Sequence, residues 1–517
     1  MTTEESSDLV PSDDGQVSSQ IRGSSVLLAG RVSSLFVTLL VQAVIARALS
    51  KTEFGQFSYA LSLVTTVATF ITLGIDRAVP RFLAMYDERK QWGHAAGTLV
   101  IQLSTILSLG LFAIVGVLGL NSWIADVAID DRAVTTLLMI MIFLAPIQAL
   151  DSLAEALFAV YAKPSAIFVR RYLMEPAMRL VLVLLLLLTD GGPRFLAFGY
   201  VITGFVGVVV YLLLLWPMVR DQQMIANVRS TGMTMPWRVV LSYSIPLMAS
   251  DLLFAVLNTS DVVLIRRYRS DEAVAAYRVV LPAAKLNQFV MTSFALLFVP
   301  MVSRLLERND RKGMSDLYWR TAAWIAVATF PVFALTFAMG DDVSAAMFGE
   351  QYRSSGTYLS LLSLGYYFNA ALGFNGLTVK TAGRVAYTIW ISLIAVVMNI
   401  GLNLLLIPDH GALGAAIATL VTLLAHNVLK QLGLRLGTGV PMYPANMVTP
   451  YVVIVVASAF LYAFMHIVQP GLVIGFVLAT VVSLIVLRAT RNHVRVLESF
   501  PELAKVPFAS TLLKTSS

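Results

Sequence analysis

Long apolar segments separated by short polar loops recur from Ser24 almost to the C-terminus. An α-helix needs about 20 apolar residues to cross the hydrocarbon core of a bilayer, and most of these segments approach that length. The pattern predicts an all-α, polytopic membrane protein with about fourteen transmembrane helices. The predicted spans lie near residues 24–46, 57–75, 95–118, 135–160, 168–188, 195–218, 242–265, 273–302, 321–339, 358–374, 386–407, 411–433, 448–467 and 472–487.

The segment from Pro246 to Pro300 repeats the chemical pattern of the start of the chain. A shift of 220 positions (267 − 47) places Arg267 on Arg47 and Ser270 on Ser50 without gaps. Such a repeat predicts two copies of one membrane unit, with a transport site at the interface between them. Each copy holds six predicted helices, an even number, so both copies enter the membrane in the same direction. We therefore expect a pseudo-two-fold axis along the membrane normal.

The repeat divides the chain into six predicted regions. The first is polar and acidic without apolar periodicity, which is typical of a disordered tail and unlike a cleavable signal peptide. The regions are a cytoplasmic tail (1–20), an N-terminal six-helix bundle (21–219), a cytoplasmic linker (220–238), a C-terminal six-helix bundle (239–436), two additional helices (437–490) and a second cytoplasmic tail (491–517).

Composition supports a membrane protein and excludes several kinds of functional site. Hydrophobic residues make up 58% of the 517 residues and charged residues 13%, whereas about a quarter of the residues of a soluble domain are charged. The chain has no cysteine, which excludes disulfides, thiolate metal sites and cysteine nucleophiles. The formal charge of +7 fits either basic cytoplasmic loops or a basic cavity for an anionic ligand.

Lys and Arg concentrate in alternate loops, and this asymmetry sets the predicted orientation. The loop near Lys90, the linker and the loop near Arg311 are basic, whereas the opposite loops are nearly free of basic residues. By the positive-inside rule both termini are cytoplasmic. The exceptions are outer basic residues, explained either by an error in counting helices or by a functional role: Arg266, Arg267 and Arg269, with Arg47 and Lys51 in the first copy.

Charged residues also occur inside predicted spans, where each costs about 2.5–3.5 kcal/mol on insertion scales and usually faces a partner or a wet cavity. Glu175 has Arg171 and Arg179 one turn away on either side, so internal pairing is an alternative to a functional role there. Arg278 and Lys285 lie seven residues apart on one helix face, and no acidic residue lies one turn from either. For these two we favour a functional role. The other polar residues noted inside spans are Arg31, Asp251, Asn258 and Asp261. Arg31 and Asp261 lie near predicted helix ends, where reaching the interface is an alternative to a functional role. Asn399 and Asn403, one turn apart, are expected to hold helices together.

Two stretches carry a resemblance to a known family. Residues 46–57, ARALSKTEFGQF, resemble the start of polysaccharide-transporter flippases, and Ser270–Tyr277 looks like the entry to their eighth helix. Residues 399–408 and 411–419 are similar to the N-x-x-x-N…I-P…G-x-x-G-A-A-x-A-T signature of their eleventh and twelfth helices. The family includes O-antigen and archaeal lipid-linked oligosaccharide flippases of the multidrug/oligosaccharidyl-lipid/polysaccharide exporter superfamily. The resemblance implies two six-helix bundles forming a V around a central cavity, plus two C-terminal helices.

The chemistry of the intramembrane residues suits an anionic carrier lipid. Arg binds phosphate or pyrophosphate groups through a bidentate fork, and sugar hydroxyls need hydroxyl and amide partners. The predicted substrate-binding residues are Arg278, Lys285, Arg31, Arg179, Asn258, Asn369 and Asn375, and the predicted ion carriers are Asp251 and Glu175. The leading hypothesis is a flippase that moves a lipid-linked oligosaccharide, on a polyprenyl or dolichyl carrier, across the cell membrane by alternating access. The alternatives are a cation-coupled multidrug exporter and a membrane glycan polymerase or transferase.

Enzyme signatures are missing from the sequence. There is no G-x-x-x-x-G-K-[ST] phosphate loop, and the five histidines show no metal-ligand spacing. Asp130-Asp131 and Asp341-Asp342 are acidic pairs that solvated turns explain. We expect no catalytic residue, metal or cofactor. The expected partners are the lipid-linked substrate, membrane lipids and glycan-assembly enzymes, without nucleic acid, and the chain is expected to be a monomer.

Overall fold

The computed structural model describes residue 30 and residues 33–161, 164–221 and 232–494, and every regular element in these ranges is helical. The predicted tail 1–20, most of the tail after 490, the middle of the linker and Arg31 lie outside the described residues. The first helices are α1 (Ser33–Ala48), α2 (Lys51–Ile71), α3 (Ile75–Glu88), α4 (Trp92–Gly119), α5 (Arg132–Met141), α6 (Leu144–Val160), α7 (Glu175–Leu188) and α8 (Pro193–Asp221).

The remaining helices begin after the linker. They are α9 (Trp237–Tyr268), α10 (Asp271–Lys285), α11 (Phe289–Glu307), α12 (Arg311–Ala338), α13 (Gly340–Phe348), α14 (Gly356–Ala371), α15 (Asn375–Thr381), α16 (Val385–His410), α17 (Ala412–Thr438), α18 (Val448–Val468) and α19 (Leu472–Val494). A π-helix, Phe168–Met174, leads directly into α7.

Ten of the described helical segments are long and apolar enough to cross a membrane, or eleven if Asp271–Ala295 and Phe298–Glu307, which meet at a bend of 53° within α11, form one span. The all-α, multi-span class is therefore confirmed, whereas the predicted count of fourteen is not. The other three predicted spans are helical but short. Their helices are Ser33–Ala48, Glu175–Leu188 and Gly356–Ala371.

The contacts divide the chain into two compact units. Unit 1 takes the described residues up to Val41 together with Val67–Ala249, and unit 2 takes Gln42–Thr66 and the residues from Ser250 on. The end of α1 and most of α2 thus belong to unit 2. The predicted division into two bundles, a linker and two additional helices stays a prediction.

Helix boundaries reproduce the sequence repeat. α1 ends at Ala48 and α9 at Tyr268, and α2 and α10 begin at Lys51 and Asp271, so both pairs differ by 220. A serine caps each second helix: Ser50 Oγ accepts the backbone N–H of Glu53 at 3.3 Å, and Ser270 Oγ accepts that of Ala273 at 3.4 Å. Because a serine cap satisfies an otherwise unbonded N–H of the first turn, the same local chemistry starts both helices.

The outer basic residues have structural partners within unit 2. Arg269 donates to the carbonyls of Ile407, at 3.4 Å, and Pro408 at the end of α16. Arg47 donates to the carbonyls of Met347, at 3.2 Å, and Ala346 at the end of α13. An arginine at a helix C-terminus satisfies carbonyls that lack a partner in the helix and complements the helix dipole.

Arg266 is also held within unit 2. Its Nε lies 2.8 Å from Asp271 Oδ1, and its guanidinium lies over the ring of Tyr59. Together with the two helix-capping arginines, this pair gives three of the five outer basic residues a structural role.

The core of unit 2 is built around α12. Trp319 and Phe330 are fully buried there, and the ring of Phe333 stacks on Tyr367 of α14 with a centroid distance of 4.0 Å. The same core includes Leu461 of α18 and further residues of α19. The two helices outside the repeat therefore pack on α12 as part of unit 2.

The chain has no cysteine, so single cysteines report topology directly. α4 has 28 residues, which at about 1.5 Å per residue exceeds the hydrocarbon thickness. Gln91→Cys and Ser122→Cys at its two ends should react with a membrane-impermeant maleimide from opposite sides. Lys312→Cys should react from the same side as Gln91→Cys, and this side should be the cytoplasm. Labelling of Gln91→Cys and Ser122→Cys from one side would contradict the topology.

Candidate functional site

A buried carboxylate occupies the centre of unit 2. Asp261 of α9 is 5% exposed, and its Oδ2 accepts the hydroxyls of Tyr277 (2.6 Å) and Thr419 (3.0 Å). Its Oδ1 accepts Asn403 Nδ2 at 2.5 Å, and the same amide reaches Asn399 Oδ1 at 3.0 Å. Four helices, α9, α10, α16 and α17, thus meet at one carboxylate.

Asp261 lies deeper in its helix than the sequence predicts. We expected it near a helix end, where it would reach the interface, but α9 continues to Tyr268 and leaves Asp261 about two turns inside. Asn399 and Asn403 hold helices together as expected. Asn403 Oδ1 is buried and accepts no hydrogen bond from the described residues. The cluster therefore offers buried oxygens that suit a proton or a small cation.

The two predicted cations of α10 lie on the same element as Tyr277. Arg278 is half-buried and Lys285 is exposed. Lys285 Nζ donates to Asn258 Oδ1 at 3.3 Å, and neither cation lies within 4.0 Å of a carboxylate among the described residues. Because the amide of Asn258 is neutral, this hydrogen bond does not neutralise the charge of the Lys285 ammonium group. The structure therefore brings together Arg278, Lys285 and Asn258 in unit 2 as a cationic group without an ion pair to any described carboxylate.

In unit 1 the intramembrane charges pair with one another. Arg170, in the π-helix before α7, is 2% exposed and bonds Asp151 Oδ2 at 2.8 Å and Glu175 Oε2 at 3.2 Å. Glu175 Oε1 also holds Arg179 at 2.5 Å, and Arg171 pairs with Glu155. Three arginines thus meet three carboxylates. The internal pairing considered for Glu175 is present, and Arg179 is engaged in it.

Gly207 of α8 makes room for the central guanidinium. A Cβ atom at that position would lie 1.9 Å from Arg170 Nη2, so any side chain there would displace it. The sequence does not predict Asp151 and Glu155 as partners of these arginines. They lie on α6, 19 and 16 residues before Arg170 and Arg171. Only the fold brings the two segments together.

The other predicted residues are dispersed. Asn369 Oδ1 accepts Lys430 Nζ at 3.5 Å, whereas Asn375 is 3% exposed and bonds Asn427 at 3.4 Å. Asp251 is half-buried on α9. Arg31 lies outside the described residues, so its predicted role is untested.

The acidic pairs of the loops have structural roles. Asp131 caps α5 by accepting the N–H of Ala133 at 2.7 Å. Asp342 accepts Arg353 Nη1 at 2.7 Å, and Arg353 also binds Glu350. The hydrogen bond from Arg353 holds the pKa of the Glu350 carboxyl below its usual value.

The ion pairs of unit 1 predict a contrast between neighbouring arginines. Arg170→Met should lower the free energy of unfolding by about 3–5 kcal/mol, because it leaves the carboxylate of Asp151 without its ion-pair partner at a buried position and removes one of the two partners of Glu175. Arg171→Met should cost about 1 kcal/mol or less, since Arg171 is 52% exposed. Thermal unfolding in detergent measures both. Equal losses in the two variants would show that burial does not set the energetics of this cluster.

Comparison with known proteins places these features in a family. A family model described as "Polysaccharide biosynthesis protein" matches residues 21–306, more than half of the chain. A second, MatE, matches residues 246–405. An uncharacterized membrane protein of Methanocaldococcus jannaschii is 23% identical over 420 residues, covering 77% of this chain and 80% of the relative. The probable low-salt glycan biosynthesis flippase Agl15 of Haloferax volcanii is 21% identical over 169 residues, covering 33% of this chain and 36% of the relative.

Solved transporters share the fold. The lipid II flippase MurJ in an inward closed conformation aligns with a TM-score of 0.67 at 12% identity, covering 90% of this chain and 98% of that one. The Vibrio cholerae MATE transporter VcmN aligns with a TM-score of 0.56 at 14% identity, covering 82% and 97%. At such identities the likeness concerns the fold alone.

These findings confirm the resemblance predicted from residues 46–57 and 399–419. The fold is that of solved MATE transporters and of a lipid II flippase. The chain belongs to the polysaccharide biosynthesis protein family and is a multi-span membrane protein.

Proposed function

We propose that this protein is a flippase that moves a lipid-linked oligosaccharide from the cytoplasmic to the outer leaflet of the cell membrane. The carrier is a polyprenyl or dolichyl phosphate or pyrophosphate. The observation that carries the proposal is the pair Arg278 and Lys285 on α10, cations without a carboxylate partner among the described residues. Two such charges inside the span of a transporter favour an anionic substrate group.

The energetics of flipping fit this assignment. A polar headgroup cannot cross bare hydrocarbon, because its hydrogen bonds with water would be lost without replacement. Arg278 supplies a forked donor for phosphate oxygens and Lys285 a point charge. The amides of Asn258 and Asn369 suit sugar hydroxyls, while the lipid tail remains in the bilayer. Arg31, Arg179 and Asn375 complete the proposed set, although Arg179 would first have to leave Glu175.

The names of two similar proteins agree with a glycan or lipid substrate. One is a probable glycan biosynthesis flippase and the other a lipid II flippase. Both similarities are distant, so they support the class of substrate and leave the glycan open.

A multidrug exporter of the same superfamily is the second candidate, favoured by the MatE match over residues 246–405. Exporters of cationic drugs need an acidic or aromatic cavity. Arg278 and Lys285 would repel a cationic drug, since like charges close together in a low dielectric are unfavourable. For this reason the anionic lipid is the better substrate.

We also propose where the protein lies and which proteins it acts beside. The protein lies in the cell membrane with both termini cytoplasmic, as the loop charges indicate. It acts as a monomer beside the glycan-assembly enzymes that supply its substrate.

The cationic pair is tested by neutralising it. Arg278→Ala and Lys285→Ala should each reduce glycan export roughly tenfold or more, because a charge-assisted hydrogen bond contributes about 1.5–3 kcal/mol. Arg278→Lys should do less harm if charge dominates over the fork. Arg267→Ala removes an exposed cation of α9 and is the matched control. Membrane protein level and export are measured together, and normal export from a stable double variant would refute the site.

Ion coupling is a separate proposal. Asp251 and Glu175 stay the predicted ion carriers, and the buried position of Asp261 adds a third. A membrane potential is worth about 2.3 kcal/mol per charge per 100 mV, enough to bias a conformational equilibrium. Flipping in sealed vesicles should respond to an imposed potential or ion gradient, and Asp261→Asn should weaken that response. Asp316→Asn, at an exposed position of α12, serves as control. Flipping indifferent to every gradient would exclude coupling.

A further inference from the structure

A polar stripe runs along α17 away from the Asp261 cluster. Thr419, Thr422, His426 and Lys430 follow one another at three- or four-residue spacing and therefore share one helix face. Thr419 binds Asp261. Thr422 Oγ1 and His426 Nε2 are buried and have no hydrogen-bond partner among the described residues. The stripe thus presents unsatisfied polar atoms between the carboxylate and Lys430.

The far end of the stripe is basic. Lys430 is half-buried, and its Nζ donates only to Asn369 Oδ1, at 3.5 Å. Lys380, near the end of α15, lies one turn after Gly376, the residue of that helix that packs against the Lys430 stem. Neither lysine forms an ion pair with a described residue. Two lysines beside a histidine, without a carboxylate, form a locally uncompensated positive site.

The packing around Lys430 keeps this charge in place. A Cβ atom on Gly376 of α15 would lie 3.3 Å from Lys430 Cδ. Because Gly376 has no side chain, α15 passes directly against the aliphatic part of the lysine. The stem is thereby buried while the ammonium group reaches beyond it toward Asn369.

The depth of this site follows from two contacts. Arg269, just before α10, bonds Pro408 near the start of α17, so both helices begin at the same end of unit 2. Tyr277 and Thr419 then meet at 3.1 Å. At about 1.5 Å per residue, Lys285 lies about 12 Å and Lys430 about 16 Å beyond that level. The lysine of α17 is therefore deeper than the α10 pair, toward the end where α17 terminates.

We propose that Lys430, Lys380 and His426 form a second anion site of unit 2 that binds a phosphate group. In transport, this site would bind the headgroup of the lipid-linked substrate before Arg278 and Lys285 do. That order rests on the proposed function. Two ammonium groups and an imidazole N–H supply donors for phosphate oxygens. Their mutual repulsion is relieved when the anion is bound.

The test is an equilibrium titration of the full-length protein in detergent, by calorimetry, with farnesyl diphosphate and inorganic pyrophosphate as probes. The background is R278Q/K285Q, which removes the first cationic pair. In this background farnesyl diphosphate should still bind, and K430Q should weaken that binding about tenfold or more. K380Q, at an exposed position, should weaken it in the same direction without a risk to folding. R435Q removes a charge from another face of α17 and should leave binding unchanged.

The outcomes are distinct. Unchanged binding in both K430Q and K380Q overturns the second site, whatever the fate of the transport proposal. The anion site is supported if these variants lose binding. The flippase proposal is refuted if glycan export is normal in the absence of the protein, and the two results are independent. Tighter binding of farnesyl diphosphate than of pyrophosphate assigns the site to a lipid headgroup, and equal binding assigns it to a free anion.

Discussion

An ionised side chain is costly in hydrocarbon, and the placement of the charges in this chain follows from that cost. A charge inside a span persists only with a partner or beside a wet space. In unit 1 the partners are carboxylates: Arg170 lies between Asp151 and Glu175. At the ends of α13 and α16 the partners are helix-terminal carbonyls, bonded by Arg47 and Arg269. Arg278, Lys285 and Lys430 of unit 2 have no ion-pair partner among the described residues, and these are the cations to which we assign the anionic substrate.

The two copies of the repeat share boundaries and differ in charge chemistry. The serine caps at Ser50 and Ser270 start equivalent helices, so local chemistry is preserved across 220 positions. Unit 1 neutralises its arginines within one cluster. Unit 2 leaves Arg278, Lys285 and Lys430 without carboxylates, and its one central acid, Asp261, is held by Tyr277 and other neutral donors. An anionic headgroup would therefore be bound chiefly by unit 2.

Much of the fold was predictable from the sequence, because apolar length and loop charge act locally along the chain. The predicted spans are largely helical where described. The count of fourteen is not confirmed, since α14 is shorter than a bilayer requires and a π-helix precedes α7 within one predicted span. The sequence predicted that Arg278 has no carboxylate neighbour on its own helix, because no acidic residue lies one turn away from it. The pairing of Arg171 with Glu155 and the burial of Asp261 were not predictable. They depend on contacts between segments far apart in sequence, which periodicity does not encode.

We propose that the chain carries a lipid-linked glycan across the membrane. The most direct measurement is the leaflet distribution of lipid-linked oligosaccharides in cells with and without the protein, read by accessibility to an impermeant glycan-modifying probe. Without the protein, we expect a lipid-linked oligosaccharide to accumulate on the cytoplasmic face and its outer-leaflet pool to fall. An unchanged distribution, with cationic drugs accumulating in the cells instead, would contradict it and favour a drug exporter.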